Sequence, residues 1–261
     1  MDLRKHGEKE FYNKIRGEDL GDADKEYYHA NRKWYSINEK SVRFVDHLLG
    51  KTCRGKRVLD YCCGNGVSTL RVTETGAAEI TGIDISEVSI DSAEKSASEK
   101  GVSGRVKFMV MDAEKTDFED SSFDIIYGNG VLHHLDLEKA YSEIARILSP
   151  GGMYIGVEAL GHNPLIRLYR KKTPHLRTGW EAEHILRKRD IFCAEKYFHK
   201  VRVLAFFHLA SVMAVPLRGT AVFMPLLSVL DVIDSVLLKI PFIRWQAWQA
   251  VFILEKPINK V

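Results

Sequence analysis

Between residues 56 and 158 the chain alternates short apolar runs with stretches in which apolar residues recur every three or four positions. RVLDYC (57–62), AEITGIDI (78–85), RVKFMVMD (105–112), FDIIYGNG (123–130) and MYIGVEA (153–159) predict strands. Helices fall between them. One starts near Val67 and ends at Gly76; one is capped by Ser86 and runs to Lys100, with Gly101 past its end. A third runs from about Asp136 to Leu148, where Ser149-Pro150-Gly151-Gly152 predicts a sharp stop. Continuous apolar strands alternating with helices predict a parallel sheet covered on both faces.

The flanks differ. Residues 1–50 are polar with scattered aromatics and predict two or three amphipathic helices; Phe44, Val45, Leu48 and Leu49 share one face and Gly50 is the expected stop. Residues 181–195 predict a helix, KVRVLAFF (200–207) a strand and QAVFILEKP (249–257) a final strand. From Val201 to Leu254 about two residues in three are apolar, against 45% for the whole chain. Arg218, Asp231, Asp234, Lys239 and Arg244 interrupt this stretch, as do Pro216, Pro225 and Pro241. No uncharged run reaches the roughly 18 residues of a spanning helix, so short helices are expected.

Composition adds exclusions. The 261 residues carry 28% charged side chains and a net charge of +3, which disfavours disorder and a nucleic-acid-coated surface. The four cysteines, Cys53, Cys62, Cys63 and Cys193, show no metal-binding spacing; the N-terminus has no apolar signal region, and a reduced, cytoplasmic compartment is expected. The vicinal Cys62-Cys63 pair reads as a small-residue strand end, so no metal site is expected.

In an open parallel sheet, ligands sit beyond the carboxyl ends of the strands. The first such end reads Asp60-Tyr61-Cys62-Cys63-Gly64-Asn65-Gly66, where the glycines permit a tight turn and close backbone approach. The second ends at Asp84-Ile85, where a carboxylate can take both hydroxyls of a ribose. The third ends at Asp112-Ala113, where an acid can accept from an adenine amine. A dinucleotide site is disfavoured, because Thr69 stands where the third glycine of that motif belongs and Asp60 would repel a phosphate.

These residues resemble the class I S-adenosylmethionine-dependent methyltransferases, in the broad type 11 group that includes the ubiquinone-pathway enzymes. VLDYCCGNG resembles their glycine motif, GIDIS the ribose motif, MDAE the adenine motif, GNGVLHHL the fourth motif and LSPGG the turn before strand five. The resemblance implies a Rossmann-like α/β fold: a seven-stranded sheet with only the last strand antiparallel, and S-adenosylmethionine as cofactor. It implies a helical lid (1–50), a cofactor-binding core (51–160) and substrate-side insertions with the last two strands (161–261). Cys62 replaces the first glycine of the loop. The cofactor-binding residues so implied are Asp60, Cys62, Gly64, Asn65, Gly66, Asp84, Ile85, Asp112, Ala113, Asn129, Gly130 and His134, with Tyr28 and Tyr35 on the lid.

The acceptor implied is a hydrophobic small molecule, methylated on carbon or oxygen. The base-amine motif is replaced by Asn129-Gly130-Val131-Leu132, no Pro-Cys dipeptide exists, and the paired glutamates of arginine methyltransferases are missing. Histidines are the candidate bases: His162 first, as it follows strand five at the carboxyl edge, then His133. Thr173-Pro174, Arg177-Thr178 and Glu183-His184 recur in a natural-product and lipid-type subgroup that the chain resembles. The basic segment 161–180 and apolar segment 208–245 suit an amphiphilic substrate with an acidic head, an interface in a homo-oligomer, or contact with a membrane surface. The alternative class is a non-catalytic or membrane-surface binding protein on the same fold, which Cys62 alone favours.

Overall fold

The computed structural model describes residues 2–17 and 30–258. Its centre is a seven-stranded sheet in the order β3-β2-β1-β4-β5-β7-β6. The strands are β1 (Arg57–Tyr61), β2 (Glu79–Asp84), β3 (Lys107–Val110), β4 (Phe123–Asn129), β5 (Leu148–Ala159), β6 (Phe198–Phe207) and β7 (Gln249–Pro257). β1 to β5 pair in parallel, and β7 lies antiparallel between β5 and β6. The order reverses between β1 and β4, so the carboxyl ends of these strands open the crevice where such sheets bind ligands.

Alternation along the strands sorts the core into two layers. Leu59 and Tyr61 join Ile83, Ile126 and helix α5 (Leu137–Ile147) on one face. Val58 joins Ile80, Ile125, Tyr127 and helix α2 (Glu39–Thr52) on the other. Two helices start as expected: Ser86 Oγ accepts from the Ser89 N–H (3.0 Å) at the head of α4 (Glu87–Glu99), and Asp136 caps α5. The intervening α3 (Val67–Val72) starts directly from the glycine turn after β1.

Three expectations need correction. Gly50 does not end α2, which runs on to Thr52 with the Cys53 N–H bonded to the Leu49 carbonyl at 2.8 Å; a glycine inside a helix is only a weak breaker. Ser149–Gly152 is not a free stop but the bulged start of β5: Phe123 pairs with Leu148, while Ile125 pairs with Met153. A Cβ on Gly152 would sit 2.7 Å from the Asp124 carbonyl, so glycine is what lets the chain close up there. Residues 181–195 are not one helix but α7 (Gly179–Glu183), α8 (Lys188–Phe192) and a 3-10 turn. The break is built by Asp190, whose carboxylate accepts the Arg187 N–H at 2.8 Å.

The apolar segment before β7 forms a small cap of its own. The 3-10 helix Ser211–Leu217 and α9 (Phe223–Leu237) enclose Ala210, Ala214, Val215, Leu227 and Leu230 with Ile37. His208 ties this cap to α2: its ring nitrogens lie 3.2 Å from Ser41 Oγ and 3.3 Å from Ser211 Oγ. Burial lowers the His208 pKa from 6.5 to about 4, with Asp234 pulling weakly the other way. A base kept neutral in the fold loses stability once the unfolded chain takes up the proton, between pH 6.5 and about 4. Wild type is therefore expected to lose about 2 kcal/mol relative to His208→Asn between pH 7 and 5, read from paired urea unfolding curves. Parallel curves would contradict this. Asp60, whose burial moves its pKa the opposite way, cancels in the comparison.

Candidate active site

The turn after β1 is held from beneath. Asp60 is 2% exposed and accepts from Thr69 Oγ1 at 2.5 Å; burial pushes its carboxyl up to about 6, helped by nearby Asp84 and opposed by the Thr69 bond. Cys62 takes φ +59°, Gly64 +57° and Gly66 +78°. A Cβ on Gly66 would meet Ala93 Cβ at 2.9 Å, so that glycine is required both by its conformation and by close packing on α4. Cys62 holds a left-handed conformation that a side chain rarely adopts, a local strain where the family pattern has glycine. Its thiol pKa is pushed well up by burial, with Asp84 adding to the effect.

Asp84 fastens this turn to β2: Oδ2 accepts the Gly64 N–H at 2.9 Å and Oδ1 the Ser86 N–H at 3.0 Å. Asp112 Oδ1 likewise accepts the Glu114 N–H at 2.9 Å. Around these acids lies a cavity of about 130 Å³, lined by Cys62, Asp84, Ile85, Asp112, Ala113, Asn129, Gly130 and His134. Eight sequence-predicted residues thus converge. Asp60, Gly64 and Gly66 shape the turn without lining the cavity, and Asn65 faces its larger neighbour. Tyr35 also lines the larger cavity; Tyr28 lies outside the described residues.

Helix α1 (Leu3–Arg16) closes the smaller cavity through charge. Lys5 Nζ sits 2.6 Å from Asp112 Oδ2 and 2.9 Å from Glu114 Oε2, and Arg4 bridges Glu114 and the His134 carbonyl. Glu8, 5% exposed, accepts from Thr178 and lies 3.1 Å from His134 Nδ1. Burial works against the charged form of His134, but the Glu8 carboxylate and then Glu181 outweigh it and raise the pKa.

The neighbouring cavity is about 750 Å³ and shares Tyr12, Arg16, Asn129, Gly130 and His134 with the first. Its wall combines Trp34, Tyr35, Tyr169 and Trp248 with Arg170, Arg177 and Glu181. Arg177 is 8% exposed, and the Nε atoms of both arginines are buried without a hydrogen-bond partner among the described residues. Arg170 Nη1 lies 3.2 Å and Arg177 Nε 3.5 Å from Glu181 Oε1, so one carboxylate faces two guanidinium groups.

His133 opens on the same cavity. Its Nδ1 is 2.8 Å from Glu158 Oε2, while Glu158 Oε1 accepts the N–H groups of Val131 (2.8 Å) and Leu132 (2.7 Å). Its Nε2 lies 3.9 Å from Glu181 Oε1. His162 is placed elsewhere. It lines neither cavity, its Nε2 accepts the Lys188 N–H at 2.9 Å, and its ring meets the Trp245 edge. The β5–α6 loop is drawn toward α8 by the Leu160–Leu186 bridge, which carries His162 with it; α6 is Pro164–Lys172.

Sequence reasoning missed Glu158, Glu181, Arg170 and Glu8. Glu158 had a readable signal, a lone carboxylate inside the apolar run of β5. The apolar segment 208–245 does not form the large cavity: of it only Val212 reaches the wall. Among the described residues no group of three or more His, Cys, Asp or Glu side chains is placed to hold a metal ion.

Residues 58–152 match the family described as "Methyltransferase domain". A 27-O-demethylrifamycin SV methyltransferase of Amycolatopsis mediterranei is 35% identical over 120 residues, covering 45% of this chain and 44% of that protein. A demethylmenaquinone methyltransferase of Leptospira interrogans is 34% identical over 143 residues, covering 52% and 54%. The matched part thus spans about half the length of these curated relatives. A solved geranyl diphosphate C-methyltransferase of Streptomyces coelicolor A3(2) superimposes with a TM-score of 0.63 at 14% identity, over 97% of this chain and 98% of that one, which establishes the common fold. Residues 58–152 thus match a methyltransferase domain, and the seven-stranded sheet around them has the fold of that solved enzyme.

Proposed function

We propose that the chain transfers a methyl group from S-adenosylmethionine to carbon or oxygen of a small hydrophobic molecule bearing an anionic group, with His133 as the base. The observation that carries this reading is the contact between the acid-lined cavity and a larger aromatic one into which a carboxylate-held imidazole opens.

The donor set fits the cofactor. Asp84 suits the ribose hydroxyls, Asp112 the adenine amine, and Gly64 and Gly66 keep the turn free of side chains. When bound, S-adenosylmethionine supplies an electrophilic methyl group on a sulfonium. The chain's own residues then position and exclude water: Trp34, Tyr169 and Trp248 offer flat apolar contacts, while Arg170 and Arg177 offer charge to an anionic head. His133 Nε2 is the atom that takes a proton where the acceptor must lose one. The relatives' names give 27-O-demethylrifamycin SV, demethylmenaquinone and geranyl diphosphate as what they methylate, and an aromatic wall flanked by two arginines suits a molecule with an apolar body and an anionic group.

The first test is calorimetric titration of S-adenosylmethionine and S-adenosylhomocysteine, followed by methyl transfer to prenylated, polyketide and quinone acceptors. Micromolar binding and turnover on a member of these sets are expected. Absence of binding in a folded sample would reject the reading and favour a binding protein on this fold. The strained Cys62 and the cation-filled acid pocket are the features that would then explain it.

The position of α1 makes a separate prediction. A cavity of 130 Å³ is well below the roughly 300 Å³ typical of ligand sites, and Lys5 occupies the carboxylate assigned to adenine. Cofactor entry therefore requires α1 to shift. Lys5→Ala should tighten S-adenosylhomocysteine binding about fivefold, since a partly exposed ion pair contributes about 1 kcal/mol. Weaker binding in the variant would show instead that Lys5 holds the cofactor.

A further inference from the structure

The outer face of α9 is apolar and faces solvent. Val229, Val232 and Val236 recur at helical spacing, 58%, 65% and 59% exposed, and just beyond the helix Ile240 and Phe242 are 41% and 88% exposed. A single exposed apolar residue is ordinary, but a contiguous stripe marks an interaction surface.

The polar groups of this segment are arranged as an apolar environment would require. Both acids of α9 turn inward. Asp234 is 5% exposed and accepts from the N–H groups of Leu209, Ala210 and Ser211 and from Ser211 Oγ; Asp231 lies 3.2 Å from Lys40 Nζ. The other acid near Lys40 on its own helix, Glu39, is paired with Arg43. The exposed hydroxyls are satisfied locally: Thr220 donates to the Leu217 carbonyl (2.7 Å), Ser228 to Met224 (2.9 Å) and Ser235 to Val232 (2.6 Å). Hydroxyls already bonded to the helix backbone enter an apolar medium without losing a partner. Arg218 before the helix and Lys239 after it are exposed, so the stripe ends in a cation on each side.

We propose that this face docks on an anionic lipid bilayer, with α9 lying in the interface plane. Charge distinguishes this occupant from a second copy of the chain. A two-fold contact of the stripe with itself would set cationic end against cationic end in either orientation, whereas anionic headgroups complement both. No helix among the described residues is long and apolar enough to cross a membrane, and a 15-residue helix lying flat needs none of that length. The inner face of α9 shares its cluster with Val212 and Trp34, which line the large cavity, so docking would bring the substrate cavity to the membrane surface.

The test is flotation of the full chain with vesicles of phosphatidylcholine alone, or with about 30% phosphatidylglycerol. Binding to the anionic vesicles, weakened by salt, is expected. Val232→Asp combined with Val236→Asp should lower the partition about tenfold or more, with the melting temperature unchanged. Should that variant fail to fold, Arg218→Glu with Lys239→Glu serves in its place and should abolish the preference for phosphatidylglycerol. No flotation with either vesicle overturns the proposal, as does undiminished flotation of the variants. A dimer in light scattering that the valine variant converts to monomer overturns it in favour of self-association. None of these readouts depends on methyl transfer, so the docking surface and the proposed activity fail separately.

Discussion

His133→Ala is expected to lower kcat by roughly 10²–10⁴-fold, the range of a lost general base, while S-adenosylhomocysteine binds as in wild type. Glu158 makes the case specific. One of its oxygens is committed to the Val131 and Leu132 N–H groups and the other faces His133 Nδ1 at 2.8 Å. An acceptor carboxylate there fixes the tautomer with hydrogen on Nδ1, which leaves the Nε2 lone pair toward the cavity. Glu158→Gln keeps the shape but presents an amide N–H to Nδ1, which drives the hydrogen to Nε2. That variant should lose kcat with KM nearly unchanged and S-adenosylhomocysteine affinity intact, a split that a residue merely stabilising the loop would not give. His162→Ala should keep full turnover, because its Nε2 is bonded to the Lys188 N–H and it lines neither cavity. The reverse pattern, with His162 essential and His133 dispensable, would sink the assignment.

The contrast between these two histidines shows what sequence could and could not reveal. Asp84 and Asp112 were legible because a parallel sheet forces strand ends to one edge; fixing the strands fixes the acids. His133 and His162 both follow strands at that edge, and alternation alone cannot tell them apart. The choice is made by long-range pairing: Leu160 bridging to Leu186 carries His162 toward α8, while Glu158 turns His133 inward. Arg170 and Arg177 read as parts of the basic segment 161–180, and Glu181 as the start of the next helix. They converge because the Pro174–Leu176 turn and the Thr178 cap of α7 fold the segment back on itself. Helix α1 was expected as part of the lid, but its contacts were not legible, for a different reason. It docks through Arg4, Lys5 and Glu8 rather than an apolar face, and hydrophobic periodicity does not register that. The stripe on α9 was legible as apolar, with a substrate wall, an oligomer interface and a membrane contact all left open. Its burial depended on which side Asp234 would take, and the N–H groups of Leu209, Ala210 and Ser211 decide that.

Asp84→Ala should weaken S-adenosylhomocysteine binding by at least 100-fold, and two separate losses add to give that figure. The carboxylate proposed to take the ribose hydroxyls disappears, and each charge-assisted hydrogen bond contributes about 1.5–3 kcal/mol. The Gly64 and Ser86 N–H groups also lose their acceptor, which unfastens the glycine turn from β2. Cys62 makes that second loss larger. A side chain held at φ +59° relaxes toward negative φ once the turn is free, and the cavity wall changes with it. Asp84→Asn separates the contributions. It keeps one oxygen for the turn, sets an amide NH2 against the other backbone N–H and offers no charge to the ribose, so its affinity and its melting temperature should both fall between wild type and alanine. Cys62→Gly in the Asp84→Ala background adds a third measurement: recovered melting temperature without recovered affinity would assign the strain to the turn and recognition to the carboxylate. Calorimetry showing wild-type affinity in Asp84→Ala would remove this acid from the cofactor site.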